Sequence, residues 1–300
     1  MCVVETHDLE KSYGRNRAIA SFDMHVEQGD IYGLVGSNGA GKSTVLKMLC
    51  GLTTPTAGEI VLFDGAENAR ERIGALVETP GLHPDLSAYQ NLMVKALALG
   101  MVNPKPLCNE LLDLVGISNS GKQRVSTLSL GVKQRLGIAL TLVGYPDLLL
   151  LDEPLSSLDP RGTREMRELF LHLVETRGMT IVISSHVIDQ LNRMATRYGV
   201  IRNGTMIREL SARQLREERV GSVRLHVLEP ERAVALLKEH APRASVKALP
   251  DDVLIVSDCD EDEIAQIMHE NGLTILELTV VRNDIEDYFI NLMEDGMTDD

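Results

Sequence analysis

No apolar run in this chain approaches the roughly 20 residues that a membrane-spanning helix needs. The densest stretch, Leu148–Leu151, stops at Asp152 and Glu153. The opening MCVVETHDLEKSYG has neither the basic start nor the apolar block of a secretory signal. These absences predict a soluble chain, so that a separate partner must supply any membrane part. Cysteine is scarce too. Cys2, Cys50, Cys108 and Cys259 are scattered with no CxxC pair, which argues against a zinc site or a disulfide framework and suits a reducing cytosol. Cys2 reads as an ordinary thiol rather than a lipidation site, because no lipoprotein signal surrounds it.

Positive charge is scarce at one end only. Residues 1–215 hold 22 Lys and Arg against 23 Asp and Glu, whereas residues 216–300 hold 8 against 21. Nearly all of the net charge of −14 therefore lies in the last 85 residues. Such asymmetry suggests two units, and it disfavours nucleic acid as a partner of the second. Its plainest role is a solubilising surface. With 44% hydrophobic and 25% charged residues, the chain has the composition of a folded soluble protein.

Up to residue 215, short apolar strands alternate with helical stretches. Ile31–Val35 reads as a strand running into a glycine-rich turn, and Lys42–Cys50 as a helix ended by Gly51. Ile73–Val77 is a further strand. From Ser87 to Val143 the pattern is mostly helical, broken at Gly100, Pro104, Pro106 and Gly116. Leu148–Leu151 and Thr180–Ser184 are continuous apolar runs of the kind buried on both faces of a parallel sheet. Between them, Asp159 is the N-cap and Pro160 the first turn of a helix. This predicts an α/β domain over 1–215 with a helical part at about 80–145. Arg213–Glu218 reads as a polar linker. Beyond it, strand Ser222–Leu228, helix Glu231–His240, strands Ala244–Leu249 and Val253–Ser257, helix Asp260–Glu270 and strand Leu273–Val280 give the β-α-β-β-α-β order of a ferredoxin-like α+β domain over 216–300. A last helix is expected from Asn283.

The glycine-rich turn carries the first chemistry. Residues 36–44 read GSNGAGKST and satisfy G-x-x-x-x-G-K-[ST] through Gly36, Gly41, Lys42 and Ser43. Glycines allow a turn tight enough to aim successive N–H groups at phosphate oxygens. The helix beginning at Lys42 adds its positive end. Lys42 supplies charge to the β- and γ-phosphates, and Ser43 a hydroxyl to Mg2+. A second acidic element follows in LLLLDEP, residues 148–154: Asp152 would hold Mg2+ and Glu153 would orient and partly deprotonate the attacking water.

With these segments in order, the chain resembles the ATPases of ABC transporters, the P-loop NTPases with a helical subdomain. The resemblance covers Tyr13 to His186 and about 215 residues in all. It implies that Tyr13 stacks on adenine and that Gly36, Asn38, Gly39, Ala40, Gly41, Lys42, Ser43 and Thr44 cradle the phosphates of ATP. It implies that LSLGVKQRLGIA at 128–139 is the signature segment, SSLD at 156–159 the D-loop with Asp159, and SSH at 184–186 the switch histidine, His186. Ser129 is placed to N-cap the signature helix and, with Gly131, to form an anion site. In the family this site meets ATP held by a second subunit. A head-to-tail homodimer and a separate multi-span membrane permease are the implied partners, and the inner face of the membrane is the implied location.

Two segments depart from the family pattern. The usual signature LSGGQ is here LSLGV, with Leu130 and Val132 at the altered places. Glu78 stands where the family has a glutamine that touches Mg2+ and the membrane partner. A glutamate there resembles the subgroup that exports bacitracin and lantibiotics and gives self-immunity to them. The added charge either holds Mg2+ more strongly or opposes phosphate approach. The acidic run DCDEDE at 258–263 lacks the glycine and ligand spacing of an EF-hand and reads as a solvated helix start. The expectation is an Mg2+-dependent ATPase subunit powering export, with a low-turnover nucleotide-gated switch in a sensing complex as the alternative. A soluble translation or chromosome-maintenance ATPase fits poorly: one ATPase unit is present, and only 110 positions without heptads separate Lys42 from Asp152.

Overall fold

The structure, a computed structural model, describes residues 1–156, 158–218, 222–250, 252–281, 285, 288, 289 and 292. It divides into two compact units, Met1–Ala212 and Arg213–Asp300. In the first unit, β1 (Cys2–Tyr13), β2 (Asn16–Ile19), β3 (Met24–Glu27), β4 (Ile31–Val35), α1 (Lys42–Leu49), β5 (Ala57–Leu62) and β6 (Ile73–Leu76) come first. Helices α2 (Ala88–Ala98), α3 (Lys105–Leu114) and α4 (Leu130–Leu142) follow. The unit ends with β7 (Leu148–Asp152), α5 (Pro160–Arg177), β8 (Thr180–Ser185), α6 (Ile188–Leu191), β9 (Arg197–Arg202) and β10 (Thr205–Ser211).

Six strands form one sheet in the order β10-β9-β4-β8-β7-β6. All neighbours in it are parallel except the edge pair β10–β9. Every residue of β4, β7 and β8 is buried, as expected of strands covered on both faces. Leu148, Leu150 and Val182 join Val45, Leu46, Met48 and Leu49 of α1 in one core, so apolar packing holds α1 against the sheet. A second sheet is antiparallel, with β1 paired to β2, β3 and β5. The sequence pattern did not reveal this sheet, nor β9 and β10. The twelve residues of β1 shift register against all three partners, which interrupts the two-residue alternation that marks a strand.

Helix ends follow the local chemistry. Ser87 caps α2 in a reciprocal capping box with Gln90, and Asp159 caps α5 ahead of Pro160. Gly178, left-handed at φ 63°, closes α5.

The stretch expected as a polar linker is instead helical: α7 (Ala212–Glu218) is built from Ala, Arg, Gln, Leu and Glu, all strong helix formers. The second unit contains β11 (Ser222–Val227), α8 (Pro230–His240), β12 (Ser245–Leu249), β13 (Val253–Ser257), α9 (Glu261–Glu270) and β14 (Ile275–Val281). Its antiparallel sheet runs β12-β13-β11-β14 over a core that includes Val223, Leu225, Leu237, Val256, Ile264 and Met268. Asp260 caps α9 by accepting from the Glu263 N–H at 2.7 Å, so the acidic run 258–263 leads into a helix as expected. The helix expected from Asn283 begins outside the described residues; Ile285, Tyr288, Phe289 and Leu292 are helical.

Candidate nucleotide-binding and hydrolysis site

Strands β4, β8 and β7 are parallel neighbours, so their carboxyl ends share one edge, where ligands of open α/β sheets bind. Register sets the chemistry there: Val35 lies opposite Ser185, and Asp152 opposite Ser184. The loop leaving β4, the acids ending β7 and the histidine following β8 thus meet although they are far apart in the chain.

In the loop, Gly41 is left-handed at φ 113° and caps α1 with no side-chain hydrogen bond, leaving the first N–H groups of that helix for a ligand. Two glycines are sterically required. A β-carbon on Gly36 would lie 2.4 Å from the Ile201 carbonyl oxygen, and one on Gly41, whose φ of 113° L side chains rarely adopt, would lie 3.0 Å from the Ala18 carbonyl oxygen. Ala40 is buried; its N–H donates to the Ser37 carbonyl at 3.1 Å and its carbonyl accepts from Gly204 N at 2.9 Å. The loop is therefore anchored to the β9–β10 turn.

Lys42 is buried and donates from Nζ to the carbonyls of Gly36 at 2.7 Å and Ser37 at 3.1 Å. Glu153 Oε1 stands 3.6 Å from the same Nζ. Burial lowers the Lys42 pKa below its ordinary value, outweighing Glu153 and Asp152, which act to raise it. The ammonium is thus under-compensated, and a phosphate would complete its solvation.

Glu153 has φ 47°, a left-handed conformation costly for a residue with a side chain. Its N–H donates to Ser184 Oγ at 3.0 Å, and its carbonyl accepts from Ser156 Oγ at 2.9 Å. Ser184 Oγ in turn donates to Asp152 Oδ1 at 2.5 Å. One buried hydroxyl thereby fixes both acids. His186 Nδ1 lies 2.8 Å from Glu153 Oε1, while Glu153 Oε2 is buried with no hydrogen-bond partner. An orphaned buried oxygen beside Lys42 suits a site that receives a polar guest. The hydroxyl of Ser43 and the carboxylates of Asp152 and Glu153 are hard oxygen donors of the kind Mg2+ takes.

Lys42, Ser43, Thr44, Asn38, Gly39, Gly41, Asp152, Glu153 and Tyr13 line one cleft of about 580 Å³. Tyr13 is half exposed, with Lys11 Nζ 4.9 Å from its ring centroid. Residues 19–156 match the family model described as ABC transporter. The bacitracin transport ATP-binding protein BcrA of Bacillus licheniformis is 36% identical over 301 residues, spanning 98% of each chain. This chain belongs to the ABC transporter ATP-binding family. It is an ATP-binding subunit of that kind, a cassette. The lantibiotic transport ATP-binding protein SrtF of Streptococcus pyogenes is 42% identical over 210 residues, 69% of this chain and 90% of its own. A solved dimeric ATP-binding cassette in a post-hydrolysis state bound to ADP and Pi shares the fold, with TM-score 0.64 and 24% identity over 70% of this chain and 99% of its own.

The cassette does not bring every expected residue to this cleft. Ser129 caps α4, accepting from Val132 N at 3.4 Å, and it is exposed beside Leu130; neither Ser129 nor Gly131 lines the cleft. Asp159 spends its carboxylate on the Gly162 N–H at 2.8 Å. Ser157 of the SSLD segment lies outside the described residues. Glu78, at φ 66° and 63% exposed, pairs with Lys47 on α1, and the hydrogen bond it accepts raises the Lys47 pKa. Sequence reasoning missed Asn16, Arg17, Ala18 and Asn203, which complete the cleft wall. It also missed the clamp by Ser184, although that serine was read as part of the SSH segment. Nothing in one sequence pairs a hydroxyl with an acid 32 positions away.

Proposed function

We propose that this chain is a Mg2+-dependent ATPase that powers export of an antimicrobial peptide or similar compound through a separate multi-span permease. The relatives named for bacitracin and lantibiotic transport support the substrate class. The geometry around Glu153 supports the reaction: a carboxylate held by His186 at one oxygen, with its other oxygen buried and unpartnered beside the phosphate loop.

In this reading the loop N–H groups and the amino end of α1 bind the β- and γ-phosphates, and Lys42 turns from the Gly36 and Ser37 carbonyls to their oxygens. Ser43 and Asp152 hold Mg2+, which supplies charge neutralisation on the phosphates. Glu153 accepts the proton of the attacking water, and His186 keeps its carboxylate aimed. Tyr13 stacks on the adenine. Ser129 and Gly131, standing apart from this cleft, bind the γ-phosphate held by a second copy, so two chains assemble head to tail. The assembly sits on the inner face of the membrane; among the described residues no helix is long and apolar enough to cross it. The β11-α8-β12-β13-α9-β14 unit is a ferredoxin-like accessory domain, a reading supported by its strand order.

Glu153→Gln tests the reaction. Turnover should fall by at least about 100-fold with ATP affinity near normal, in line with losses on removing a general base. ATP-bound dimers should accumulate in size exclusion with ATP and Mg2+. Normal turnover would overturn the assignment. A second reading, a low-turnover switch, is favoured by the Lys47–Glu78 pair and the altered signature. Steady-state hydrolysis with and without the permease separates the two.

A further inference from the structure

Cys2, Glu5 and His25 lie outside the nucleotide cleft, and their placement has an unusual cause. In a regular strand, residues 2 and 5 would project to opposite faces. In β1 the pairing with β3 shifts between Cys2 and Val4, where Cys2 faces Glu27 and Val4 faces Val26. Both Val3 and Val4 are consequently buried, and Cys2 emerges on the face that carries Glu5. Glu5 is directly opposite His25 in the same ladder. The irregularity thus gathers a thiol, a carboxylate and an imidazole whose ligand atoms all lie within 4.8 Å of one another. Bulges that re-aim a side chain in this way commonly serve a site.

We propose that Cys2, Glu5 and His25 form a binding site for a borderline-soft divalent cation of the zinc class, bridging β1 and β3. Cys2 Sγ and His25 Nδ1 are 3.7 Å apart. Zn–S and Zn–N bonds of about 2.3 and 2.05 Å at a tetrahedral angle give an S···N edge of about 3.5–3.6 Å, so these two atoms stand nearly at ligand separation. The far nitrogen, His25 Nε2, faces Glu27 Oε1 at 3.7 Å. That is a little beyond hydrogen-bond reach, so Glu27 would have to close on the ring by a few tenths of an ångström to become the outer-shell carboxylate that orients a metal-bound histidine. His7 Nε2 lies 3.4 Å from Glu5 Oε1 at the rim of the cluster. All three ligand residues are partly exposed, which leaves a path for entry and room for water at the fourth position. A thiolate with imidazole selects zinc over the magnesium suited to the all-oxygen donors of the nucleotide cleft. Sequence spacing could not reveal the set, because its members come from two strands, His25 standing 20 positions beyond Glu5 and 23 beyond Cys2.

The test is titration of the full, tag-free, reduced chain with Co2+ in the absence of nucleotide. Thiolate-to-cobalt charge transfer reports the Cys ligand, and the visible bands report tetrahedral geometry. One equivalent should bind per chain and be displaced by Zn2+. Cys2→Ser should abolish the charge-transfer band, and His25→Gln and Glu5→Gln should weaken binding by at least about tenfold. Glu27→Gln should weaken it about 10- to 100-fold, as loss of an outer-shell partner does. ATP binding by each variant checks that it is folded. No band in the wild type, or a band that survives Cys2→Ser or is unmoved by His25→Gln, would overturn the proposal.

Discussion

Ser184→Ala isolates the clamp that joins Asp152 and Glu153. The hydroxyl is fully buried, donates to Asp152 Oδ1 at 2.5 Å and accepts from the Glu153 N–H at 3.0 Å. Deletion removes one hydrogen bond to a charged group, worth about 1.5–3 kcal/mol, and leaves the Glu153 N–H without its partner, at a cost of about 1–3 kcal/mol. Relaxation and water entry reduce the sum, so the expected loss is about 3 kcal/mol in the first unit. A second consequence is kinetic. Glu153 is held at φ 47°, and a left-handed residue with a side chain persists only where its surroundings over-determine it. Without the serine, Glu153 relaxes and its carboxylate swings from the phosphate loop; a misplacement of about 1 Å costs on the order of 100-fold in rate. Ser184 does not line the nucleotide cleft, so ATP affinity should change by less than about threefold, under 1 kcal/mol. Hydrogen exchange read by mass spectrometry on peptides from β7 and β8 measures the stability of the first unit by itself. Phosphate release and nucleotide titration measure the rest. Unchanged protection together with turnover within twofold of wild type would refute the clamp.

Lys42→Met should abolish the upward shift of melting temperature that ATP confers by mass action, without lowering the melting temperature of the nucleotide-free chain much, since burial already disfavours the ammonium. The linkage has a definite sign. With the folded pKa below 10.5, the unfolded chain binds the proton more tightly, so this group's contribution to stability should rise as pH climbs from the lowered value to 10.5. Differential scanning calorimetry across that range, wild type against Lys42→Met, checks it. Mixing a Ser129→Arg chain with a Lys42→Ala chain should restore partial hydrolysis through one intact shared site; no recovery on mixing or co-expression would count against the head-to-tail dimer. Glu78→Gln breaks an exposed pair with Lys47, so urea midpoints should imply a change below about 1 kcal/mol. Because Glu78 sits on Lys47 outside the cleft, hydrolysis by the isolated subunit should change little, and the effect should emerge in transport or peptide resistance with the permease.

The phosphate loop was legible because its chemistry is contiguous. Nine consecutive residues, Gly36 to Thr44, specify the turn, the helix start and the cation, and no distant partner is needed to recognise them. The same holds for the apolar run that ends in Asp152 and Glu153, and for Ser129 and Asp159, whose capping roles depend on N–H groups three residues ahead. Other features depend on strand pairing, which joins residues with no sequence relation. Only the parallel register of β7 and β8 sets Ser184 against Asp152 and brings His186 to Glu153, 33 positions apart. Only the fold seats Glu78 on Lys47 rather than in the cleft, and only the shifted pairing of β1 with β3 turns Cys2 toward His25. Local motifs are written by short-range sterics and charge, which a sequence displays directly. The partners that hold those motifs in working order are chosen by hydrophobic burial across the whole sheet, and that choice exists only once the chain has folded.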